Sequence, residues 1–214
     1  MLKVYGADLS TYSNKVRFTA NALNLEYEYV KVSLRDGENR KPEYLGLHPA
    51  GKIPVIDDAG FVLFESNAII KYLTTKHGSE LYPKDLKTRA LIDQWIDFVT
   101  LHVGGAIDRI VFNRVFAPRI GAPVDERSAK TGTAFLNRFL PIVDKQLNKN
   151  TYLVGEKMTI GDINLLATLD SCEVAHIKLS SHESIVRLRD QLKGRDFYTK
   201  CHLCYEDVFR RVFG

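Results

Sequence analysis

Lys52-Ile53-Pro54-Val55-Ile56-Asp57-Asp58-Ala59-Gly60-Phe61-Val62-Leu63-Phe64-Glu65-Ser66-Asn67 is the stretch that decides the fold of this chain. Ile53 to Ile56 and Phe61 to Phe64 read as two short strands, with Asp57-Asp58-Ala59-Gly60 as the hairpin turn between them. Pro54 is out of place inside a central strand, because proline brings no N–H to the ladder. It fits if the Ile53–Pro54 bond is cis at a strand start, which turns the preceding backbone groups outward toward a ligand. Ser66 then reads as the N-cap of a helix through Asn67-Ala68-Ile69-Ile70-Lys71-Tyr72-Leu73 to about Lys76. The free N–H groups of a helix start attract anions. Two devices suited to gripping an anionic peptide therefore lie side by side.

Upstream, Leu2, Val4 and Tyr5 mark a strand, and Ser10 to Tyr12 a loop. Val16, Thr19, Ala20 and Leu23 fall at i, i+3, i+4 and i+7, the stripe of an amphipathic helix. Glu28 to Val32 alternates as a second strand. The order β-α-β-(α)-β-β-α predicts a small mixed sheet with helices packed on it. Downstream, His77-Gly78-Ser79-Glu80-Leu81-Tyr82-Pro83 breaks the pattern. The expected organisation is an α/β domain over residues 1–76, a linker over 77–87 and an all-α domain over 88–214. In that second half Leu91, Trp95, Phe98 and His102 form one helical stripe, and Phe135, Phe139, Val143 and Leu147 another. Pro118, Gly121 and Pro123 are read as separators between these helices. Thr159 and Asp162 have the spacing of a capping box, with Asp where Glu is usual.

Composition sets the outer bounds. With 45% apolar and 26% charged residues, the 214-residue chain is an ordinary globular sequence with enough length for a sizeable core. The net charge of +4 comes with acidic and basic residues interleaved along the C-terminal region, which argues against a nucleic-acid face. Apolar runs are too short to span a bilayer, and the N-terminus reads as a strand and not a signal peptide. Three cysteines cannot all pair, so a reducing compartment, the cytoplasm, is expected. Cys201-His202-Leu203-Cys204 is a lone CxxC in a helical region, and His176 and His182 stand at no recognised zinc spacing from it. No metal is expected.

Five motifs in order resemble the cytosolic glutathione transferase superfamily over the whole chain. They are Ser10-x-x-Ser13-x-x-Val16, His48-Pro49-x-Gly51-Lys52-Ile53-Pro54, Glu65-Ser66-x-Ala68-Ile69, Leu81-Tyr82-Pro83 and Gly155-x-x-x-Thr159-x-x-Asp162. The resemblance implies a thioredoxin-like N-terminal domain followed by an all-helical one, in a homodimer. It also implies glutathione as cosubstrate, hydrophobic electrophiles as second substrates and a role in detoxification. Ser10, six residues before Val16, resembles the catalytic serine of the phi, theta and delta classes; Tyr12 and Ser13 are neighbouring alternatives for the same task. Ile53, just before Pro54, resembles the residue whose backbone pairs with the cysteinyl part of glutathione. Glu65 resembles the group facing the γ-glutamyl amine, and Ser66 the one facing its carboxylate. Lys52 replaces a frequent glutamine, and its cation suits a carboxylate. Asn39 stands where histidine is frequent, with Arg40 and Lys41 adjacent.

The chemistry is within reach of such a site. A free thiol of pKa ~8.5 is only a few per cent ionised at neutral pH, and the thiolate is the nucleophile. Lowering that pKa by about two units takes roughly 2.7 kcal/mol, and one hydrogen bond to a charged group supplies about 1.5–3 kcal/mol. A serine hydroxyl aided by a helix N-terminus suffices. The second-substrate pocket is expected between the domains, with Tyr12, Phe98, His102, Arg109 and Phe112 as its walls, and Asn113 nearby. The expected activity is glutathione conjugation, with hydroperoxide reduction as a side reaction. The rival reading is a non-catalytic module of the same fold, binding glutathione or serving as a subunit of a protein complex. A glutaredoxin-like reductase is disfavoured, since no cysteine lies in the active loop.

Overall fold

The computed structural model describes residues 1–201 together with Asp207, Phe209 and Arg210. Its N-terminal half holds β1 (Leu2–Gly6), α1 (Thr11–Ala22), β2 (Tyr27–Lys31), the short α2 (Pro42–Leu45), β3 (Val55–Asp58), β4 (Phe61–Phe64) and α3 (Ser66–Lys76). The four strands lie in the order β2-β1-β3-β4, with β1 parallel to β2 and antiparallel to β3, and β4 antiparallel to β3. The small mixed sheet expected from the alternation is present. The hairpin turn is shorter than its four-residue reading. Asp58 still pairs with Phe61, and only Ala59 and Gly60, both at positive φ, make the bend.

The helical half begins with α4 (Leu86–Asp97), whose N-cap Asp85 accepts from Thr88 N at 2.8 Å. The helical rod continues without a break through a π turn at Phe98–Gly104, α5 (Gly105–Val111), a second π turn at Phe112–Phe116 and α6 (Ala117–Ile120). Pro118 is thus taken up in the first turn of α6, and the stop comes at Gly121 in the left-handed region. After it come α7 (Glu126–Lys149), α8 (Ile160–Val174), α9 (Glu183–Lys193) and α10 (Asp196–Thr199). The buried face of the rod is Ile92, Ile96, Val99, Val103, Ala106, Ile107 and Ile110. Of the expected stripe, Trp95 is buried and Phe98 packs against the core, while Leu91 and His102 turn out exposed. Two apolar stripes a fraction of a turn apart compete here, and the branched aliphatics take the core.

The two halves share their packing. Phe18 of α1 belongs to the helical core, whereas Ile92, Ile96 and Ile160 of the helical half complete the core beneath the sheet. Asn21 Nδ2 on α1 donates to Phe197 O at 2.9 Å and to Cys201 Sγ at 3.2 Å. Cys201 and the buried Cys172 are free thiols, while Cys204 and His202 of the lone CxxC lie outside the described residues. Among the described residues, no helix is long and apolar enough to cross a membrane.

Candidate active site

Strand register brings the motifs to one place. Tyr5 of β1, Val55 of β3 and Phe64 of β4 lie in line across three strands. Ser10 follows the end of β1, Ile53 and Pro54 precede β3, and Glu65 and Ser66 follow β4, so all five residues sit at the same end of the sheet. The N-termini of α1 and α3 open there as well.

Ser10 is the N-cap of α1, partly exposed, with its Oγ accepting from Ser13 N at 3.1 Å. Capping uses the oxygen as acceptor and leaves the hydroxyl proton available. Ser13 is fully buried against β1, where a Cβ on Gly6 would come within 2.6 Å of its Oγ; that oxygen also accepts from Ala7 N at 3.4 Å. Tyr12 reaches across to α5 and donates its phenolic proton to Asp108 Oδ2 at 2.8 Å. Burial and that carboxylate push its pKa well above an ordinary phenol. Of the three hydroxyls, only that of Ser10 is both accessible and uncommitted as a donor among the described contacts.

The Ile53–Pro54 peptide bond is cis. The ladder of β3 starts at Val55, so the peptide groups of Ile53 lie outside it. Tyr44 on α2 donates to Lys52 O at 2.8 Å, which fixes the strand entry, while the Lys52 side chain is exposed. Asn39 donates from Nδ2 to Gly51 O at 2.7 Å, and its buried Oδ1 has no hydrogen-bond partner among the described residues. Its amide thus ties two loops together. The exposed cations Arg40 and Lys41 follow it in sequence.

Glu65 sits at φ 70° and ψ 108°, a strained conformation for a side-chain-bearing residue, costing about 1–3 kcal/mol. It is Glu65 and not Ser66 that is the N-cap of α3, because the helix already begins at Ser66. Ser66 is buried and Glu65 exposed. Beneath Ser66 lies Lys15 of α1, 1% exposed. Its ammonium donates to Ser66 Oγ at 3.3 Å and to Asn67 Oδ1 at 2.7 Å. Asn67 Nδ2 in turn donates to Thr100 Oγ1 at 3.2 Å, and Thr100 Oγ1 to the buried Asn164 Oδ1 at 3.4 Å. Burial pulls the Lys15 pKa down to about 7, against the opposing charges of Asp108 and Glu65.

Two family descriptions match this chain: the N-terminal domain of glutathione S-transferases over residues 1–75 and the C-terminal domain over residues 109–196. Glutathione S-transferase F10 of Arabidopsis thaliana is 35% identical over 166 residues, covering 76% of this chain and 77% of the relative. Glutathione S-transferase 3 of Zea mays is 33% identical over 175 residues, covering 79% and 78%. The chain belongs to the glutathione S-transferase family. Among solved structures, glutathione transferase F2 of Populus trichocarpa superimposes with a TM-score of 0.87 at 30% identity, covering 94% of this chain and 97% of the other. A glutathione S-transferase-I bound to lactoylglutathione matches with a TM-score of 0.85 at 25% identity, with the same coverages.

In this glutathione transferase the wall between the domains differs from the expected one. Phe98, His102 and Arg109 turn toward α7: the Phe98 and His102 rings lie 6.0 Å and 5.1 Å from the Phe139 ring, and Arg109 donates to Ser128 Oγ at 3.3 Å. Asn113 is likewise drawn away, its Oδ1 accepting from Asp125 N at 2.7 Å. The face turned to α1 and α3 carries Thr100 and Asp108, and Phe112, one turn beyond Asp108, is half exposed. The reason is the stripe correction above: rotating the rod to bury the aliphatics points the aromatic row at α7. Sequence reasoning missed Lys15, Asn67, Thr100, Asp108 and Asn164. The only available signal was polarity interrupting helices that are otherwise buried.

Proposed function

We propose that this glutathione transferase joins the glutathione thiolate to apolar electrophiles, with hydroperoxide reduction as a secondary activity. Ser10 donates its hydroxyl proton to the sulfur, and the N-terminus of α1 adds a favourable field. Ile53 offers its out-of-ladder peptide groups to the cysteinyl backbone, as an added strand would. Glu65 faces the γ-glutamyl amine, and Ser66 faces its carboxylate with help from the N–H groups at the start of α3. Lys52, Arg40 and Lys41 supply cations for the glycyl carboxylate. The second substrate rests between Tyr12, Phe112 and the Thr100–Asp108 face. The enzyme works as a cytoplasmic homodimer, and the apolar residues exposed along the edge strand β4 (Phe61, Val62 and Phe64) suit a subunit contact.

The observation that carries this reading is the Ser10 hydroxyl, held at the head of a helix by its cap while its proton stays free. The test is the initial rate of glutathione conjugation to a generic aryl halide, for wild type and Ser10→Ala together. A wild-type rate that drops at least about tenfold in the variant, one charge-assisted hydrogen bond's worth, supports it. An undiminished rate in the variant removes Ser10 from the role. No rate in either, with glutathione still bound, favours the non-catalytic module.

A further inference from the structure

Lys15 is a cation with no counter-ion at bonding distance among the described ion pairs, buried where lysine is rarely found. Its two acceptors are the side chains of Ser66 and Asn67, at the start of α3. An ammonium has only donors, so the Ser66 oxygen that accepts from it must direct its own proton elsewhere. Ser66 is 7% exposed, at the end of the sheet where Ser10, Ile53 and Glu65 gather. We propose that Lys15 is the positioning residue of the γ-glutamyl subsite: while protonated it holds the Ser66 hydroxyl proton outward for the ligand's carboxylate, and when neutral it releases that hold. This rests on the reading that Ser66 receives the carboxylate.

The chemistry makes the arrangement a switch. A neutral lysine amine carries a lone pair and accepts from Ser66, which turns the hydroxyl proton inward and presents the ligand with an oxygen lone pair. The positive charge beneath the subsite disappears in the same step. Burial has already brought Lys15 to about 7, so the change falls near neutrality. The charged or titratable groups facing Lys15 are Glu65 at the head of α3, Asp108 on α5 and the Tyr12 phenol on its own helix, whose ring lies 5.4 Å from the ammonium. A bound carboxylate adds a further anion and raises the Lys15 pKa, so by linkage affinity must fall as pH rises past the free-state value.

S-hexylglutathione is the probe, because its thioether cannot ionise and leaves the γ-glutamyl end intact. Its affinity is measured by titration calorimetry between about pH 6 and pH 8.5; any loss caused by titration of the ligand's own α-amine is shared by the variants below, so the Lys15 part is the excess slope of wild type over them. Wild type is expected to bind about tenfold more weakly at the alkaline end. Lys15→Met and Lys15→Gln are expected to bind about tenfold more weakly than wild type at pH 6, with little pH dependence beyond that shared loss. Both variants keep Glu65, Asp108 and Tyr12, so they separate Lys15 from those groups, and Gln preserves a neutral donor if Met disturbs folding. Wild-type affinity that is level across the range overturns the proposal, as do variants that bind as tightly as wild type or keep its slope. A wild type that binds no S-hexylglutathione at any pH overturns the glutathione-site reading together with it.

Discussion

Ser10 caps α1, and under the proposed function the same oxygen would meet a second demand. As N-cap it accepts from Ser13 N, and losing such a cap costs about 1 kcal/mol. As a thiolate donor it would contribute about 1.5–3 kcal/mol of a different kind, felt only when glutathione is bound. The two contributions separate by substitution. Ser10→Ala is expected to lower both stability, by about 1 kcal/mol, and conjugation rate, by at least about tenfold. Ser10→Asp keeps an acceptor for Ser13 N, so its unfolding midpoint in urea should return to that of wild type. Its carboxylate has no proton to offer and repels the thiolate, so its rate should stay at or below that of the alanine variant. If Asp restores the rate along with the stability, the hydroxyl acts only through the fold.

Among the elements, α8 shows what a local signal can specify. Thr159 Oγ1 accepts from Gly161 N at 3.2 Å, and the Asp162 carboxylate accepts from Thr159 N and from Leu153 N, each at 2.8 Å. The carboxylate is wholly buried, so Asp162→Ala would leave two backbone donors unpaired inside the protein. The expected cost is about 3 kcal/mol, against about 1 kcal/mol for Thr159→Ala, measured by urea denaturation. Equal losses would mean that Asp162 only caps the helix and does not anchor the 152–155 loop. This box was legible in the sequence because its parts lie three residues apart. The strands, the cis bond at Pro54 and the head of α3 were legible for the same reason, to within a residue at Ser66. The facing of the rod was not. Leu91-Trp95-Phe98-His102 and Ile92-Ile96-Val99-Val103 are both sound helical stripes, and only packing against α7 and α8 chooses between them. Two π turns, each adding a residue, then shift the phase of the helical turns downstream of them. Lys15 was hidden differently: a lysine in a helix reads as solvent-facing, and its partners Ser66 and Asn67 lie about fifty residues away.

At the scale of the whole molecule, the buried Lys15 should leave a mark on stability as well as on binding. Its folded-state pKa is about 7, whereas a lysine in the unfolded chain titrates near 10.4. Between those values the unfolded state holds more protons than the folded one, so stability must rise with pH across that window. The largest slope one group can give is about 1.4 kcal/mol per pH unit. Other groups set the upper limit. Burial pushes the Cys172 thiol up to about 12, and raises Tyr29, Tyr44 and Tyr198 above the ordinary phenol range. These groups ionise in the unfolded chain first, so from about pH 9 upward they subtract stability as pH rises. The free enzyme is therefore expected to be most stable on the alkaline side of neutrality, near pH 9, while its γ-glutamyl subsite is best set below pH 7. Guanidinium denaturation from about pH 6 to pH 10 checks this: wild type should climb by roughly 1–2 kcal/mol before it turns over, and Lys15→Met should start higher and not climb. A wild-type curve that is level from pH 7 to 9, or a variant that climbs equally, would show that the buried ammonium carries no such strain. If the climb is seen and disappears with Lys15, the enzyme gives up stability at neutral pH to keep a charge under Ser66, and saturating S-hexylglutathione should shrink the slope by raising the Lys15 pKa toward its unfolded value.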